Sequence, residues 1–187
     1  MKELEISYEK DFIYTLNPRT EVMGRWETPL MQLHSNLCTH NHGDVLEIGF
    51  GLGISATQIN SLGVISHTIV EIHPVIAQKA REWALDKPNV TILEGDWYDL
   101  RSTIIQKEYD GIFFDPHMDQ NRKLFRSEVV DVCMKPNGIF TWFMYEILDY
   151  FSYGENNVQY LEVDLESGWE TRTLSYTSHE IAPYVQY

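Results

Sequence analysis

From Asp44 onward the chain alternates short apolar runs with amphipathic stretches. Asp44–Phe50 (DVLEIGF), His67–Ile72, Asn89–Leu93, Tyr109–Phe114 (YDGIFF) and Gly138–Tyr145 (GIFTWFMY) read as strands. Between them, Ile54–Leu62, Pro74–Leu85, Leu100–Gln106 and Asn121–Met134 have helical spacing. In the last of these it runs through Leu124, Phe125, Val129, Val132 and Cys133. Continuous apolar strands separated by helices indicate a parallel sheet covered on both faces. The C-terminal residues behave differently. Val158–Leu165 and Thr171–Tyr176 predict two strands joined through Ser167-Gly168, an antiparallel edge. The pattern predicts an α/β fold: a doubly wound, mostly parallel sheet of about seven strands closed by an antiparallel C-terminal hairpin. Ahead of it, Glu27–Cys38 reads as a helix entered through Thr28-Pro29. The layout is one domain over 1–187. An N-terminal lid or helical segment spans 1–43, a core 44–145 and the closing hairpin 146–187.

Length and composition fit that layout. A chain of 187 residues, 43% apolar and 22% charged, is an ordinary globular domain. The charge changes the picture. Twenty-eight Asp and Glu face 14 Lys and Arg, a net −14 with His neutral. Such a chain repels phosphate backbones, so no nucleic acid is expected, and cationic partners are favoured. Most acidic surface is nonetheless a solubility device. Cys38 and Cys133 make neither a disulfide framework nor a zinc site and read as buried thiols. His40 and His42 lack further ligands, and no metal is expected. The first residues, Met-Lys-Glu-Leu-Glu-Ile, have no signal-peptide stretch, and no run approaches the ~18 apolar residues of a membrane span. The expectation is a cytoplasmic protein with no membrane association, a monomer or homodimer.

The strongest local feature is Glu47-Ile-Gly49-Phe50-Gly51-Leu52-Gly53, which closes the first core strand and opens the helix at Ile54. Glycines there let the backbone turn tightly and approach a ligand, and the helix start offers free N–H groups. A tight strand–helix connection with no ligand remains the plain alternative. Read as G-x-G-x-x-G from Gly49, the third position is Ile54; read from Gly51, it is Ala56, an allowed variant. A nicotinamide dinucleotide is thus disfavoured in one register and open in the other. Glu47 speaks for S-adenosylmethionine, whose ammonium needs acceptors. Glu71, 22 residues after Gly49, stands where a carboxylate can accept both ribose hydroxyls. His73 is placed at the same edge. Asp96 and Trp97 follow the third strand, where an acid and an indole can bracket an adenine.

Chemistry would lie at Asp115, which ends the fourth strand beside Pro116 and His117. An acid there sits at the cofactor crevice, where positioning is most of the task in methyl transfer. A guanidinium is held bidentately by carboxylates, and a carboxylate can accept the proton lost on alkylation. Asp115 and Glu27 are the candidate catalytic, substrate-holding pair. His117 reads equally as a base or as a surface loop residue.

Three blocks now carry a resemblance. VMGRWETPLM (Val22–Met31), LEIGFGLG (Leu46–Gly53) followed by Glu71, and YDGIFFD ending at Asp115 resemble guanidinoacetate N-methyltransferases and the related protein-arginine δ-N-methyltransferases. The W-E-T-P-x-M block is far more specific than a glycine turn. The resemblance runs from about Val22 to Gly138 and returns near Ile181-Ala182-Pro183. It implies a Rossmann-like class I methyltransferase using S-adenosylmethionine, with S-adenosylhomocysteine as product. It implies that Met23 and Met31 contact the cofactor from the N-terminal segment and that Gly49–Ile54 surround its methionine part. Glu71 would hold the ribose, with Ile72 and His73 beside the adenine and Asp96-Trp97 on its other side. Glu27 would hold the guanidino group, and Asp115 would stand at the transfer centre.

The departures bear on the acceptor. The family's small polar residues that touch the acceptor's carboxylate fall near Tyr145 and Glu146 here, and a glutamate there would repel a carboxylate. The segment 147–157 is shorter than the family's lid, and Phe12 and Tyr14 could supply an aromatic cover. The expected partner is a cationic guanidine-bearing small molecule (arginine, agmatine or guanidinoacetate) or an arginine side chain in a peptide, with carboxylate-free acceptors favoured. The alternatives are a methyltransferase of this fold acting on another amine or a carboxylate, and a non-catalytic S-adenosylmethionine-binding module.

Overall fold

The computed structural model describes residues 5–117, 121–143, 159–164 and 179–187. It opens with β1 (Ile6–Tyr8), β2 (Phe12–Leu16) and β3 (Arg19–Gly24), a three-stranded antiparallel meander. Of the lid or helical segment expected over 1–43, the described first half is sheet, and the helix expected at Glu27–Cys38 follows it. The signal was local. Phe12-Ile13-Tyr14-Thr15 is rich in β-favouring residues, and Asn17-Pro18 punctuates the run where the chain reverses. A single turn at Arg25–Glu27 leads into α1 (Thr28–Cys38), with Pro29 in the first turn, where its missing N–H costs nothing.

The alternating core then follows in order. It comprises β4 (Asp44–Ile48), α2 (Ile54–Ser61), β5 (Ser66–Glu71), α3 (Pro74–Ala84), β6 (Val90–Glu94), α4 (Trp97–Ile104) and β7 (Tyr109–Phe114). The α4 helix begins at Trp97, earlier than its apolar spacing suggested, because Asp96 caps it: the Asp96 carboxylate accepts from Tyr98 N at 2.9 Å. The expected helix over 121–134 is broken. Here α5 (Arg122–Phe125) passes through a π-helical stretch at Arg126–Val130 into α6 (Asp131–Cys133). The next strand, β8 (Met134–Trp142), starts sooner than Gly138 as a result. Finally β9 (Gln159–Asp164) and β10 (His179–Gln186) pair antiparallel. The strand expected at Thr171–Tyr176 lies outside the described residues.

The seven core strands order as β6-β5-β4-β7-β8-β10-β9. The pairs from β6 to β8 are parallel, and β8–β10–β9 is the antiparallel closing edge. Side chains alternate between the two faces, and both faces are buried. Val45, Ile69 and Phe113 join Leu30, Met31, Ile59 and Ile76 in one core. Leu46, Val70, Ile112 and Phe114 join Trp97, Phe125, Phe140 and Trp142 in the other. Cys38 and Cys133 are free and buried. No helix among the described residues is long and apolar enough to cross a membrane.

Charge is distributed unevenly along the strands. At the amino ends of β4 and β7, Lys135 Nζ lies 2.8 Å from both Asp44 Oδ2 and Asp110 Oδ2, and Lys107 Nζ lies 3.1 Å from Asp44 Oδ1. Burial works against the Asp44 carboxylate, but Lys135, Ser66 and Lys107 hold its pKa down to about 2. The acids at the carboxyl ends are arranged differently, as described below.

The first helix lies tightly on the sheet. At Gly111 of β7 a Cβ would collide with the carbonyl oxygen of Cys38, the last residue of α1. Gly111→Ala must push helix from sheet, and overpacking of this kind costs about 1–3 kcal/mol or more. Urea denaturation should show that loss as a lower midpoint with an unchanged slope.

Candidate active site

The strand order places a crevice. From β4 the chain steps out to β5 and β6, then returns across the sheet to β7 on the other side of β4. Loops leaving β4 and β7 therefore diverge, and ligands bind at such switch points. At Gly49, φ is 94° and a Cβ would lie 2.5 Å from the carbonyl oxygen of Asp115. Only a glycine fits there, and it brings the two loops together backbone to backbone. Over the crevice lies a cavity of about 560 Å³. Gly49, Phe50, Gly51 and Asp115 form part of its floor, Glu71, Ile72 and His73 one flank, and Asp96 and Trp97 the next.

The N-terminal sheet is the roof. Ile6, Thr15, Glu21, Val22 and Met23 all face the cavity. The roof is latched to the glycine turn: the Tyr8 hydroxyl donates to Gly51 O at 3.3 Å, and Leu52 N points at Met23 Sδ at 3.2 Å. A Cβ at Gly51 would meet the same sulfur. Burial, opposed by Arg25 and reinforced by Glu71, raises the Tyr8 pKa.

One flank suits a nucleoside. Glu71 is buried, and its two oxygens accept from Phe50 N and His73 N, each at 2.8 Å. Burial raises its pKa against the pull of those bonds. The backbone thus sets the carboxylate at the cavity edge, where it could accept ribose hydroxyls. His73 caps α3, its Nδ1 accepting from Val75 N at 3.3 Å. Ile72 is exposed at the rim and offers an apolar face to a purine. Trp97 lines the cavity but is buried, edge-on to Phe125 with ring centroids 5.0 Å apart. Its indole serves the core as much as any ligand. The Gly49–Gly51 cradle, which side chains would fill, and the free N–H groups opening α2 suit a methionine carboxylate.

The other side collects acids. Glu27 is buried at the start of α1, its Oε1 accepting from Gly24 N at 2.8 Å. Glu21 is held beside it by Trp26 Nε1, which donates to its Oε1 at 2.7 Å. Asp115 faces them from the floor. Burial raises its pKa well above the ordinary value of an aspartate, and the charges of Glu27, Glu47 and Glu71 push the same way. His117 lines the cavity beside it. Burial lowers its pKa, and neither ring nitrogen has a hydrogen-bond partner among the described residues.

Several expected contacts lie elsewhere. Met31 is fully buried in the core beneath the site and does not face the cavity. Leu52, Gly53 and Ile54 shape the turn from behind; Gly53, with φ 70°, caps α2, and a Cβ there would meet the Phe50 ring at 2.7 Å. Glu47 is wholly buried below the floor. Tyr145 and Glu146 lie outside the described residues. Sequence reasoning missed Ile6, Thr15, Glu21, Val22 and Ser55 as cavity residues. The hairpin signal around Asn17-Pro18 could have found the roof; nothing in the sequence singled out Ser55.

Comparison with known proteins agrees with this geometry. Residues 11–156 match the family model for guanidinoacetate N-methyltransferase. Protein arginine N-methyltransferase 2 of Saccharomyces cerevisiae is 34% identical over 149 residues, covering 74% of this chain and 36% of the relative. The Candida glabrata protein of the same name is 30% identical over 206 residues, covering 94% and 49%. The chain therefore spans between a third and a half of the length of these relatives. Among solved structures, a spermidine synthase in complex with the transition-state analogue AdoDATO superposes with a TM-score of 0.65 at 12% identity, covering 97% of this chain and 71% of the other. That likeness is one of fold. The motif blocks, the roofed cavity and the extent of the family match together make this chain a member of the guanidinoacetate N-methyltransferase family.

Proposed function

We propose that the chain methylates a guanidino nitrogen, using S-adenosylmethionine and an acceptor whose guanidinium sits between Glu27 and Asp115. The observation that supports this reading is that two acids, Glu27 and Asp115, line one cavity and that the charge of Glu27 is felt at Asp115. When bound against the glycine turn, S-adenosylmethionine supplies a methyl group on a sulfonium. Met23, Gly49, Phe50, Gly51, Glu71, Ile72, His73 and Asp96 would hold it.

The chain's own residues do the rest. Burial first, and then the negative charges of Glu27, Glu47 and Glu71, raise the pKa of Asp115 in the empty site. A guanidinium offsets both and favours the ionised carboxylate. The planar fork is then clamped between Glu27 and Asp115, which limits how the reacting nitrogen can point. As that nitrogen forms its new bond to carbon it must shed a proton, and a carboxylate oxygen of Asp115 accepts it. A raised basicity suits that role.

Glu21 extends the negative wall beyond Glu27. An acceptor that carries its own carboxylate meets repulsion there, whereas an arginine side chain within a peptide does not. The relatives' name, protein arginine N-methyltransferase 2, supports the same choice. A carboxylate as the methylated group is disfavoured for the same electrostatic reason.

Four outcomes are expected. Asp115→Asn lowers transfer by about 10²–10⁴-fold while S-adenosylhomocysteine affinity, measured by calorimetry, changes little; an unchanged rate removes Asp115 from the chemistry. The same variant melts higher than the parent, and by more at pH 8 than at pH 5. A carboxylate whose pKa is raised on folding costs stability increasingly as pH climbs from about 4 through its folded value. For the parent, kcat/KM for the acceptor climbs with pH across that range, and Asp115→Asn abolishes the climb. Finally, in a mass-spectrometric panel an arginine peptide or agmatine outperforms guanidinoacetate; guanidinoacetate as the best acceptor overturns the proposed choice.

A further inference from the structure

Beneath the glycine turn lies a polar pair that the proposed chemistry does not use. Glu47 on β4 and His67 on β5 both have zero exposure. In the parallel register Val45 pairs with His67 and Glu47 with Ile69, so Glu47 and His67 are diagonal neighbours on one face. His67 Nε2 lies 2.8 Å from Glu47 Oε2, out of line with the ring N–H. The other oxygen, Oε1, accepts the Ser55 hydroxyl. Ser55 stands in the first turn of α2 and faces the cavity. The far side of the imidazole meets the edge of Trp83, with centroids 6.4 Å apart.

A buried carboxylate is expensive unless donors and an opposite charge or dipole hold it. Here the cost falls on the residue that opens the glycine motif, one layer under the cavity floor. The sheet supplies alternatives at no such cost: neighbouring positions on this face are Val45, Ile69 and Phe113. A fixed negative charge in a low-dielectric layer acts at longer range than one in water. Glu47 is already felt at Asp115, whose pKa it helps to raise.

We infer that His67 is a positioning residue: with Ser55 it holds the buried Glu47 carboxylate in place beneath the floor of the cavity, where that charge favours a ligand positive at the reacting centre over a neutral one. This rests on the proposed use of S-adenosylmethionine. It deepens that reading, because the substrate carries a sulfonium and the product a neutral thioether. The pair would then help to distinguish cofactor from spent product. Nε2 is the nitrogen nearest the carboxylate, and a glutamine amide can place a polar group at the same point.

Calorimetry on the whole chain tests this without turnover. The ligands are S-adenosylhomocysteine and sinefungin, which carries an ammonium in place of the methylated sulfonium. His67→Phe is expected to weaken sinefungin about ten-fold more than S-adenosylhomocysteine, and His67→Gln to restore most of the difference. Glu47→Gln, which keeps the shape and removes the charge, should reproduce the selective loss. Ser55→Ala reports on the other anchor should His67→Phe fail to fold. Equal losses for the two ligands across the folded variants mean a purely structural pair and overturn the inference. A selective loss in Glu47→Gln with none in His67→Phe or Ser55→Ala overturns it for His67. Failure of the unaltered protein to bind either ligand is a different result: it strikes the cofactor reading itself.

Discussion

The site depends on how closely two backbones approach at the carboxyl ends of the central strands. Gly49 leaves β4 with a left-handed φ and no side chain, and the Asp115 carbonyl after β7 occupies the space a Cβ would need. Strands are stiff, so this contact sets the offset between the two loops. The loop after β4 forms the cradle, and the loop after β7 carries the acid. Their relation is thus a property of main chain packed on main chain, which thermal motion of side chains does not blur. The cost is a sequence position that tolerates no other residue.

Charge follows the same axis. At the amino ends of β4 and β7, Asp44 and Asp110 are matched by Lys135 and Lys107. At the carboxyl ends Glu21, Glu27, Glu71 and Asp115 gather around one cavity, anchored by backbone amides and an indole. Backbone donors orient a carboxylate without cancelling its charge, as a lysine would. Burial raises the pKa of Asp115, and the charges of Glu27, Glu47 and Glu71 push it the same way. Acids held together in this way cost stability, a common arrangement where function and folding compete.

Much of this was legible in the chain. Continuous apolar runs separated by amphipathic stretches specify a covered parallel sheet, because each face of Val45-Leu46 or Ile69-Val70 must find a helix. The ends of elements were less legible. Asp96 capping moves α4 forward, and the π-helical stretch at Arg126–Val130 has no periodic signature. Glu71, Asp115 and Glu27 were found because each is polar at the end of an apolar run or beside a helix start. Glu47 shows where that logic fails. An acid within DVLEI looks like a ligand-facing residue, yet its orientation is set by strand alternation and points it into the layer beneath. An N-terminal lid was expected, but not its three strands, which are short and bury little in themselves; their apolar partner is the rest of the site.

The roof divides labour in a way the core does not. Residues suited to the cofactor come mainly from the alternating β/α core, while Glu21 and Glu27, suited to the acceptor, come from the N-terminal hairpin and the turn that follows it. The roof is joined to the turn by Tyr8 on Gly51, by Met23 at Leu52 and by apolar packing of Ile13 and Met23 in the cluster that holds Phe50. β3 carries both kinds of contact: Glu21 lies on the acid side of the cavity, and Met23, two residues on, rests on the glycine turn. A shift of this one strand would therefore move acid and cradle contact together.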